Sequence, residues 1–213
     1  MIETYAGKTR EEAIKNACEA LGCSEGELIY EVTLEKKSLF SKRVEISAYC
    51  LNTVVEFVKG YITKVLTELD FTVSIEYTME EGRMKFNIDT DNNSMLIGKN
   101  GTILRSIVSV VRAAVQHNFK ERYEIDVDVN NYKSERYDKV AKMAKRFARQ
   151  VQRTRVDMKL DPMPADERKV MHQVISNINY VRTESVGEGK NRYMTIIYDA
   201  NKKVKKNVEA SDE

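Results

Sequence analysis

One short stretch decides the fold of the middle of this chain: Ser94-Met95-Leu96-Ile97-Gly98-Lys99-Asn100-Gly101-Thr102. Its two glycines stand three positions apart, which predicts a tight turn between two helical segments. Because glycine has no Cβ, a sugar-phosphate backbone can approach such a turn closely. The N–H groups that open the following helix would face a phosphate, and Lys99 would add positive charge. The candidate nucleic-acid contacts here are Ile97, Gly98, Lys99, Asn100 and Gly101, although Ile97 is equally well explained as a core residue.

The elements around this turn predict the order α-β-β-α-α-β over residues 51–131. Thr53-x-x-Glu56 predicts the start of the first helix. Five apolar residues share one stripe behind it: Val54, Val58, Ile62, Val65 and Leu69. Residues 71–79, 84–88 and 123–129 alternate between apolar and polar side chains, as strands do. This order, with the Gly-x-x-Gly turn between its fourth and fifth elements, resembles the prokaryotic (type II) KH fold. KH modules hold about four nucleotides of single-stranded RNA or DNA at this turn.

Residues 1–50 predict a small domain of their own. Their order is strand, helix, strand, strand, and the helix begins with a capping box at Thr9-x-x-Glu12. Gly22 follows the last apolar residue of the helical pattern and is expected to end the helix. The two later strands, 28–34 and 44–49, are joined by a basic turn.

Residues 132–200 predict a third domain, in which helices pack on a small sheet. A long helix over 132–155 carries nine Lys or Arg against two acidic residues. Four residues are expected to form its buried stripe: Val140, Ala144, Phe147 and Val151. Pro164 is expected to open a second helix, which a strand pair over 181–185 and 192–198 follows. The predicted class is therefore α+β in three domains, 1–50, 51–131 and 132–200, with a flexible tail over 201–213.

Charge is distributed unevenly along the chain. The formal net charge is +2, but residues 132–213 carry +7 while residues 1–131 carry −5. Residues 51–131 alone are at −3, and phosphate contacts dominate affinity for nucleic acid. The middle domain is therefore expected to bind weakly by itself, and the basic helix and the second helix of the third domain are expected to supply the missing attraction.

Several classes of function are disfavoured by composition. Cys18, Cys23 and Cys50 follow no metal-binding or disulfide spacing and are interpreted as reduced thiols. The two histidines, His117 and His172, are far apart in sequence, which disfavours a metal site or a catalytic triad. We expect no metal and no cofactor. Catalysis is also disfavoured, because a nuclease using His172 would need a positioned partner that the sequence does not offer. No apolar run is long enough to span a bilayer, and no signal peptide opens the chain, so we expect a cytoplasmic location without direct membrane insertion.

A second candidate site lies in the third domain. Arg168-Lys169-Val170-Met171-His172 places Arg168 and His172 four positions apart, and hence on one face of a helix. A guanidinium can fork onto a phosphate, and an imidazole can stack on a base or hydrogen-bond to a phosphate. The run continues with Thr183-x-Ser185-x-Gly187 and Arg192. It resembles the R-3-H domain, which binds single-stranded nucleic acid, and this likeness implies Arg168, Lys169, His172 and Arg192 as contacts.

A KH module followed by an R-3-H domain, behind a small N-terminal domain, resembles the bacterial Jag family of SpoIIIJ-associated proteins. The resemblance implies a non-catalytic protein that binds single-stranded RNA, with single-stranded DNA as a further possible ligand, and acts as a post-transcriptional regulator or RNA chaperone linked to cell elongation and sporulation. It also implies a small KH-only partner protein or a homodimer. One departure is the run Lys37-Ser38-Leu39-Phe40-Ser41-Lys42, which lacks both glycines of the family's Lys-Gly-x-Phe-Gly turn. An alternative function is a protein–protein adaptor of the membrane-insertase system, in which the KH surface serves for dimerisation.

Overall fold

A computed structural model describes residues 2–37 and 42–204 of this chain. The altered turn at 38–41 and the tail from 205 onward lie outside the described residues. The chain divides into two compact units, Met1–Asn131 and Tyr132–Glu213. The described residues combine helices with three small sheets, which confirms the predicted α+β class. The division into three domains stays a prediction.

The first unit begins with a three-stranded antiparallel sheet covered by one helix. Its elements are β1 (Glu3–Gly7), α1 (Arg10–Leu21), β2 (Ile29–Lys37) and β3 (Lys42–Tyr49), with a short 3-10 turn at Glu25–Glu27 and the strand order β1-β3-β2. Thr9 Oγ1 accepts the N–H of Glu12, as a capping residue should. Gly22 ends α1 in the left-handed region, with a φ of 64°. The strand, helix, strand, strand order is as predicted.

The same unit continues in the predicted order α-β-β-α-α-β. Its elements are α2 (Leu51–Thr67), β4 (Val73–Glu80), β5 (Arg83–Thr90), α3 (Asn93–Ile97), α4 (Thr102–Asn118) and β6 (Glu124–Val129). Strand β5 lies at the centre of this second sheet, antiparallel to β4 and parallel to β6. The core-facing residues of α4 are Leu104, Val108, Val111 and Val115.

Two details of α2 differ from the sequence prediction. The helix begins at Leu51 and its N-cap is Cys50, so Thr53 is its third residue rather than its first cap. The buried stripe consists of Val54, Val55, Val58, Ile62 and Leu66. Val65 and Leu69, predicted in the stripe, are 42% and 62% exposed. The stripe follows i, i+4 steps from Val54. Val65 stands one residue before Leu66 and therefore points about 100° away from the stripe. Leu69 lies beyond the last helical residue, Thr67, so it has no place on the helix face.

An aromatic cluster joins the first sheet to the helices that follow it. The ring of Phe119, just after α4, lies 5.1 Å from that of Tyr49 and 5.3 Å from that of Phe57. The Tyr49 hydroxyl also accepts the N–H of Glu121 at 3.3 Å. Residues from before and after position 50 therefore share one packed core within the first unit.

The second unit packs two helices on a three-stranded antiparallel sheet. Its elements are α5 (Tyr132–Thr154), β7 (Met158–Pro162), α6 (Ala165–Ser176), β8 (Val181–Val186) and β9 (Tyr193–Tyr198), with the strand order β7-β9-β8 and a short 3-10 turn at Gly189–Asn191. The buried stripe of α5 is Val140, Ala144, Ala148 and Val151. Phe147, predicted to be buried, is only half-buried, because Ala148 occupies the core-facing position at i+4 from Ala144.

Strand β7 and the contacts of Lys202 were not predicted from the sequence. Pro162 ends β7, where its missing N–H costs no ladder bond because β7 lies at the edge of the sheet. Lys202, which the sequence placed in a frayed tail, is half-buried. Its Nζ donates to the carbonyl oxygens of Ile175 at 2.9 Å and Val181 at 2.6 Å. The residue therefore ties the end of the described chain to α6 and β8.

Candidate nucleic-acid interface

The glycine turn, Ile97–Gly101, has a backbone that requires glycine. Gly98 has a φ of 70°, and a Cβ added there would stand 2.7 Å from Cγ1 of Ile103, too close for any other residue. Asn100 and Gly101 also have positive φ, of 52° and 71°. The Gly101 N–H closes the turn by donating to the Gly98 carbonyl at 3.1 Å. The sequence prediction of a tight turn is therefore matched by the backbone.

The side chains of this turn leave its backbone open to a ligand. Lys99 and Asn100 are exposed, Ile97 is half-buried and Gly101 is buried. The hydroxyl of Thr102 donates back to the Lys99 carbonyl at 2.9 Å, which fixes the carbonyl side of the turn. Among the described residues no side chain caps the first N–H groups of α4. Open N–H groups at a helix start beside an exposed lysine can bind a phosphate.

The second unit brings two arginines together on one hydroxyl. Arg168, on α6, donates from Nη1 to Ser185 Oγ at 2.6 Å, and Arg192 donates from Nε to the same oxygen at 2.9 Å. Arg168 is held further by its Nε, which donates to the Met163 carbonyl at 3.3 Å. Ser185 belongs to β8, so the cluster spans the helix, the strand and the segment just before β9.

His172 and Thr183 extend this arrangement along the same surface. The Nδ1 atom of His172 lies 2.7 Å from Oγ1 of Thr183. Since side chains two positions apart share one face of a strand, Thr183 and Ser185 present their hydroxyls on the same side of β8. We call Arg168, His172, Thr183, Ser185 and Arg192 the arginine cluster. Three of its members are predicted site residues, whereas the fourth predicted residue of this unit, Lys169, is exposed and makes none of these hydrogen bonds.

The two hydroxyls are the contacts that sequence reasoning did not single out. Both stand in the quoted run after the second helix, at alternate positions of a predicted strand. Arg168 and His172 are four positions apart on α6, a rise of about 6 Å. Thr183 and Ser185 are two positions apart on β8, a rise of about 6.6 Å. Because these two rises are nearly equal, Arg168 lies opposite the hydroxyl of Ser185 and His172 lies opposite that of Thr183.

A buried ion pair holds α5 and α6 together. Glu167 is 2% exposed, and its two oxygens accept Nε and Nη2 of Arg136, both at 2.9 Å. The hydrogen bonds with Glu167 raise the pKa of Arg136, which keeps the guanidinium charged. Sequence reasoning did not predict that Glu167 is buried. Its spacing with Met171 and Ile175, four and eight residues on, was the available signal that it lies on the buried face.

A basic face runs along the side of α5 that is opposite its buried stripe. The residues that line a shallow groove there are Lys142, Lys145, Arg146, Arg149, Gln150 and Arg153. From Lys142 to Arg153 the helix rises about 16 Å, so positive side chains recur on every turn. Such a face attracts a polyanion without reading its sequence.

Comparison with known proteins identifies the family. A family model for the R-3-H domain matches residues 138–198, and one described as Jag N-terminus matches residues 5–50. RNA-binding protein KhpB from Clostridium symbiosum is 30% identical over 199 residues, covering 91% of this chain and 90% of that protein. The protein of that name from Bacillus subtilis is 24% identical over 200 residues, 91% of this chain and 96% of that one. The one from Lactiplantibacillus plantarum is 28% identical over 144 residues, 68% of this chain and 45% of that one.

These matches define a multidomain protein with an R-3-H module behind a Jag-type N-terminus. The chain belongs to the Jag family, together with the KhpB proteins. In the part of the chain that the structure describes, no helix is long and apolar enough to cross a membrane.

Proposed function

We propose that this chain is a non-catalytic protein that binds single-stranded RNA, and by the same chemistry single-stranded DNA, at two places. One place is the glycine turn and the other is the arginine cluster. The observation that carries the proposal is the convergence of Arg168 and Arg192 on Ser185 Oγ. The relatives from Clostridium symbiosum and Bacillus subtilis are both named RNA-binding proteins, which supports the ligand class.

The arginine cluster offers positive charge that is not neutralised by the protein. Neither Arg168 nor Arg192 forms an ion pair with any carboxylate among the described residues. Both lone pairs of the Ser185 hydroxyl are occupied by the two guanidinium groups, so its own proton remains available for donation. A phosphate oxygen accepts from guanidinium and hydroxyl donors alike, and it supplies the missing negative charge. His172 and Thr183 would bind the neighbouring phosphate or base.

The glycine turn is proposed as the weaker of the two sites. It offers open N–H groups and Lys99, but the surrounding residues 51–131 carry a net charge of −3. The basic face of α5 adds attraction that does not depend on RNA sequence. Two weak sites on one chain raise each other's effective concentration when one RNA strand engages both. In the cell we propose a cytoplasmic role as post-transcriptional regulator or RNA chaperone, as the family resemblance implies.

The test is an anisotropy titration of the full-length protein with a fluorescently labelled single-stranded RNA at several salt concentrations. We plot the logarithm of the binding constant against the logarithm of the salt concentration. For the double variant Arg168→Gln/Arg192→Gln we expect the magnitude of this slope to be about 1.4 smaller, because each lost phosphate contact on a single strand contributes about 0.7. The control Arg182→Gln/Lys203→Gln removes the same charge from exposed positions of the same unit. Equal losses for the two double variants would refute the arginine cluster as the binding site.

The glycine turn has its own test. Lys99→Asp/Asn100→Asp changes the charge by the same amount as the control Gln116→Asp/Arg122→Asp, and all four residues are exposed. We expect weaker RNA binding for the first variant only, with circular dichroism unchanged in both. Unchanged RNA binding would remove the glycine turn from the proposal.

A second candidate function is dimerisation through the helices of the first unit. Val65, Ile103 and Val110 are 42%, 45% and 52% exposed and line one apolar groove between α2 and α4. Exposed apolar patches of this kind mark protein–protein contacts. The proposed occupant is a second copy of this chain. Light scattering should show a dimer that Val110→Glu dissociates and that Gln116→Glu, on the other side of α4, does not. A monomer in all three cases would refute self-association.

A further inference from the structure

The basic face of α5 carries positive charge that the rest of the helix does not neutralise. Five of the six residues that line its groove are cations, and all five are exposed: Lys142, Lys145, Arg146, Arg149 and Arg153. Residues 139–156 contain neither Asp nor Glu. The ion pairs that α5 does form, between Lys139 and Glu135 and between Arg136 and Glu167, lie before this face begins. Within 2–37 and 42–204, none of the five cations pairs with a carboxylate.

This arrangement is unfavourable for the helix alone. Cations stand four positions apart in three pairs: Lys142 with Arg146, Lys145 with Arg149, and Arg149 with Arg153. Like charges at this spacing are neighbours on the helix surface, and each pair destabilises the helix by about 0.2–0.5 kcal/mol. An anionic ligand that bound along the face would remove this repulsion.

The charges form a straight and rigid row. Lys142, Arg146, Arg149 and Arg153 fall within about 60° of one another around the helix axis and span about 16 Å along it. The opposite side of α5 is fixed in the core of the second unit by its buried stripe. The row is therefore suited to a ligand whose own charges are held in a rigid array.

No residue that lines this groove can stack on a base. The groove has no aromatic side chain, and the nearest one in sequence, Phe147, packs against the core of the second unit. The guanidinium carbon of Arg146 lies 5.0 Å from the centre of the Phe147 ring. Proteins that hold single strands combine a basic groove with aromatic side chains, and each stacked base contributes about 1–3 kcal/mol. A single strand would gain none of that energy here.

A double strand needs no stacking partner from the protein. Its bases already stack on one another, and it presents phosphates at about twice the density of one strand along its axis. The deep, narrow major groove of duplex RNA excludes side chains, so proteins recognise such a duplex mainly by its shape, its phosphates and its 2′-hydroxyls. Gln150, the one neutral residue that lines the groove, carries amide donors that suit either oxygen.

We propose that the basic face of α5 binds the phosphate backbone of a double-stranded segment of RNA, without reading its sequence. The proposal rests on the proposed function, because it takes RNA as the polyanion. It extends that function to RNA that has both a stem and a single strand. The stem binds along α5, and the single strand binds at the arginine cluster.

The test is an anisotropy titration of the full-length protein with a blunt-ended RNA duplex of about 16 base pairs, the span of a known duplex-binding domain. For Lys145→Gln/Arg149→Gln we expect the slope of log binding constant against log salt concentration to be about 1.8 smaller in magnitude, because each duplex phosphate contributes about 0.9. Glutamine forms helices about as well as lysine and arginine, so circular dichroism should not change. The control Arg182→Gln/Lys203→Gln also removes one exposed arginine and one exposed lysine, and it should leave the slope unchanged. A duplex of unrelated sequence should bind equally well.

The arginine-cluster variant Arg168→Gln/Arg192→Gln separates this proposal from the proposed function. It should weaken binding of single-stranded RNA and leave the affinity for the duplex unchanged. If Lys145→Gln/Arg149→Gln behaves like its control on the duplex, or weakens duplex and single strand by the same factor, the duplex site is refuted. The single-strand titration of the arginine-cluster variant would still decide the proposed function. Loss of binding to phosphatidylglycerol vesicles without loss of duplex binding would assign the face to a lipid surface and would also overturn the proposal.

Discussion

The ion pair between Arg136 and Glu167 allows a quantitative test of what holds the second unit together. Replacing Arg136 by Met keeps an unbranched apolar side chain but removes the guanidinium that binds both carboxylate oxygens. The Glu167 side chain is 3% exposed, so its negative charge would stay in the core without a partner. Stranding one charge of a buried pair typically costs about 3–5 kcal/mol.

The lower end of that range is the appropriate estimate here. The Arg136 side chain is 31% exposed, so water screens part of the interaction and can reach the vacated space. A loss of about 3 kcal/mol in a domain of this size lowers the melting temperature by about 12–24 °C. We therefore expect a large shift in the transition of the second unit and none in that of the first.

Calorimetry of the full-length protein, combined with hydrogen exchange of peptides from α5 and α6, separates the two units. Lys139→Met is the matched control, since Lys139 pairs with Glu135 on the same helix at 3.5 Å while both side chains are about 70% exposed. An exposed pair of this kind contributes little. The double variant Arg136→Met/Glu167→Met should recover most of the loss, because no charge is left stranded. Equal effects of Arg136→Met and Lys139→Met would refute the reasoning.

Three further predictions concern single features. Gly98→Ala should destabilise the first unit by at least about 1 kcal/mol in urea unfolding and weaken RNA binding, because its Cβ would clash with Ile103; an unchanged midpoint would contradict this. Lys202→Met should lower the free energy of unfolding of the second unit by about 1.5–3 kcal/mol in calorimetry, since it removes two charge-assisted hydrogen bonds to carbonyls. Lys203→Met is the exposed control and should not change the free energy of unfolding measurably. Burial and a hydrogen bond to Glu3 raise the pKa of Tyr5 to about 12, and burial raises that of Tyr123. The folded state then keeps protons that the unfolded chain releases, so the stability of the first unit should fall as the pH rises from about 10 to 12, and less steeply in Tyr123→Phe.

The order of elements could be predicted wherever the chain alternates or repeats cleanly. Strands β4 to β6 alternate over six to eight residues, and the glycine turn separates two helical segments without ambiguity. Strand β7 could not be predicted, because Pro162 and Pro164 dominate a short segment and only its position at a sheet edge tolerates proline. The start of α2 was misplaced because Thr53 resembles a cap, whereas Cys50 performs that role.

The candidate site was predictable only in part, because some of its contacts depend on how a helix packs against a strand. Basic residues can be recognised in a sequence as potential phosphate contacts, so Arg168, His172 and Arg192 could be selected from it. Thr183 and Ser185 are common strand residues, and their value depends on lying across from α6 at matching steps. Such a match is a property of the packing between a helix and a strand, which no local pattern records.

Glu167 and Arg168 link the stability of the second unit to its proposed function. Consecutive residues on a helix point about 100° apart, so one faces the core and binds Arg136 while the next reaches Ser185 at the surface. A rotation of α6 that opened the buried ion pair would also move the Arg168 guanidinium away from Ser185. Among the described residues, Arg136 forms no hydrogen bond or ion pair with a member of the arginine cluster. Arg136→Met should nevertheless weaken RNA binding, even at temperatures where the unit remains folded. RNA affinity that stays constant up to the melting transition of that variant would show that the two features are independent.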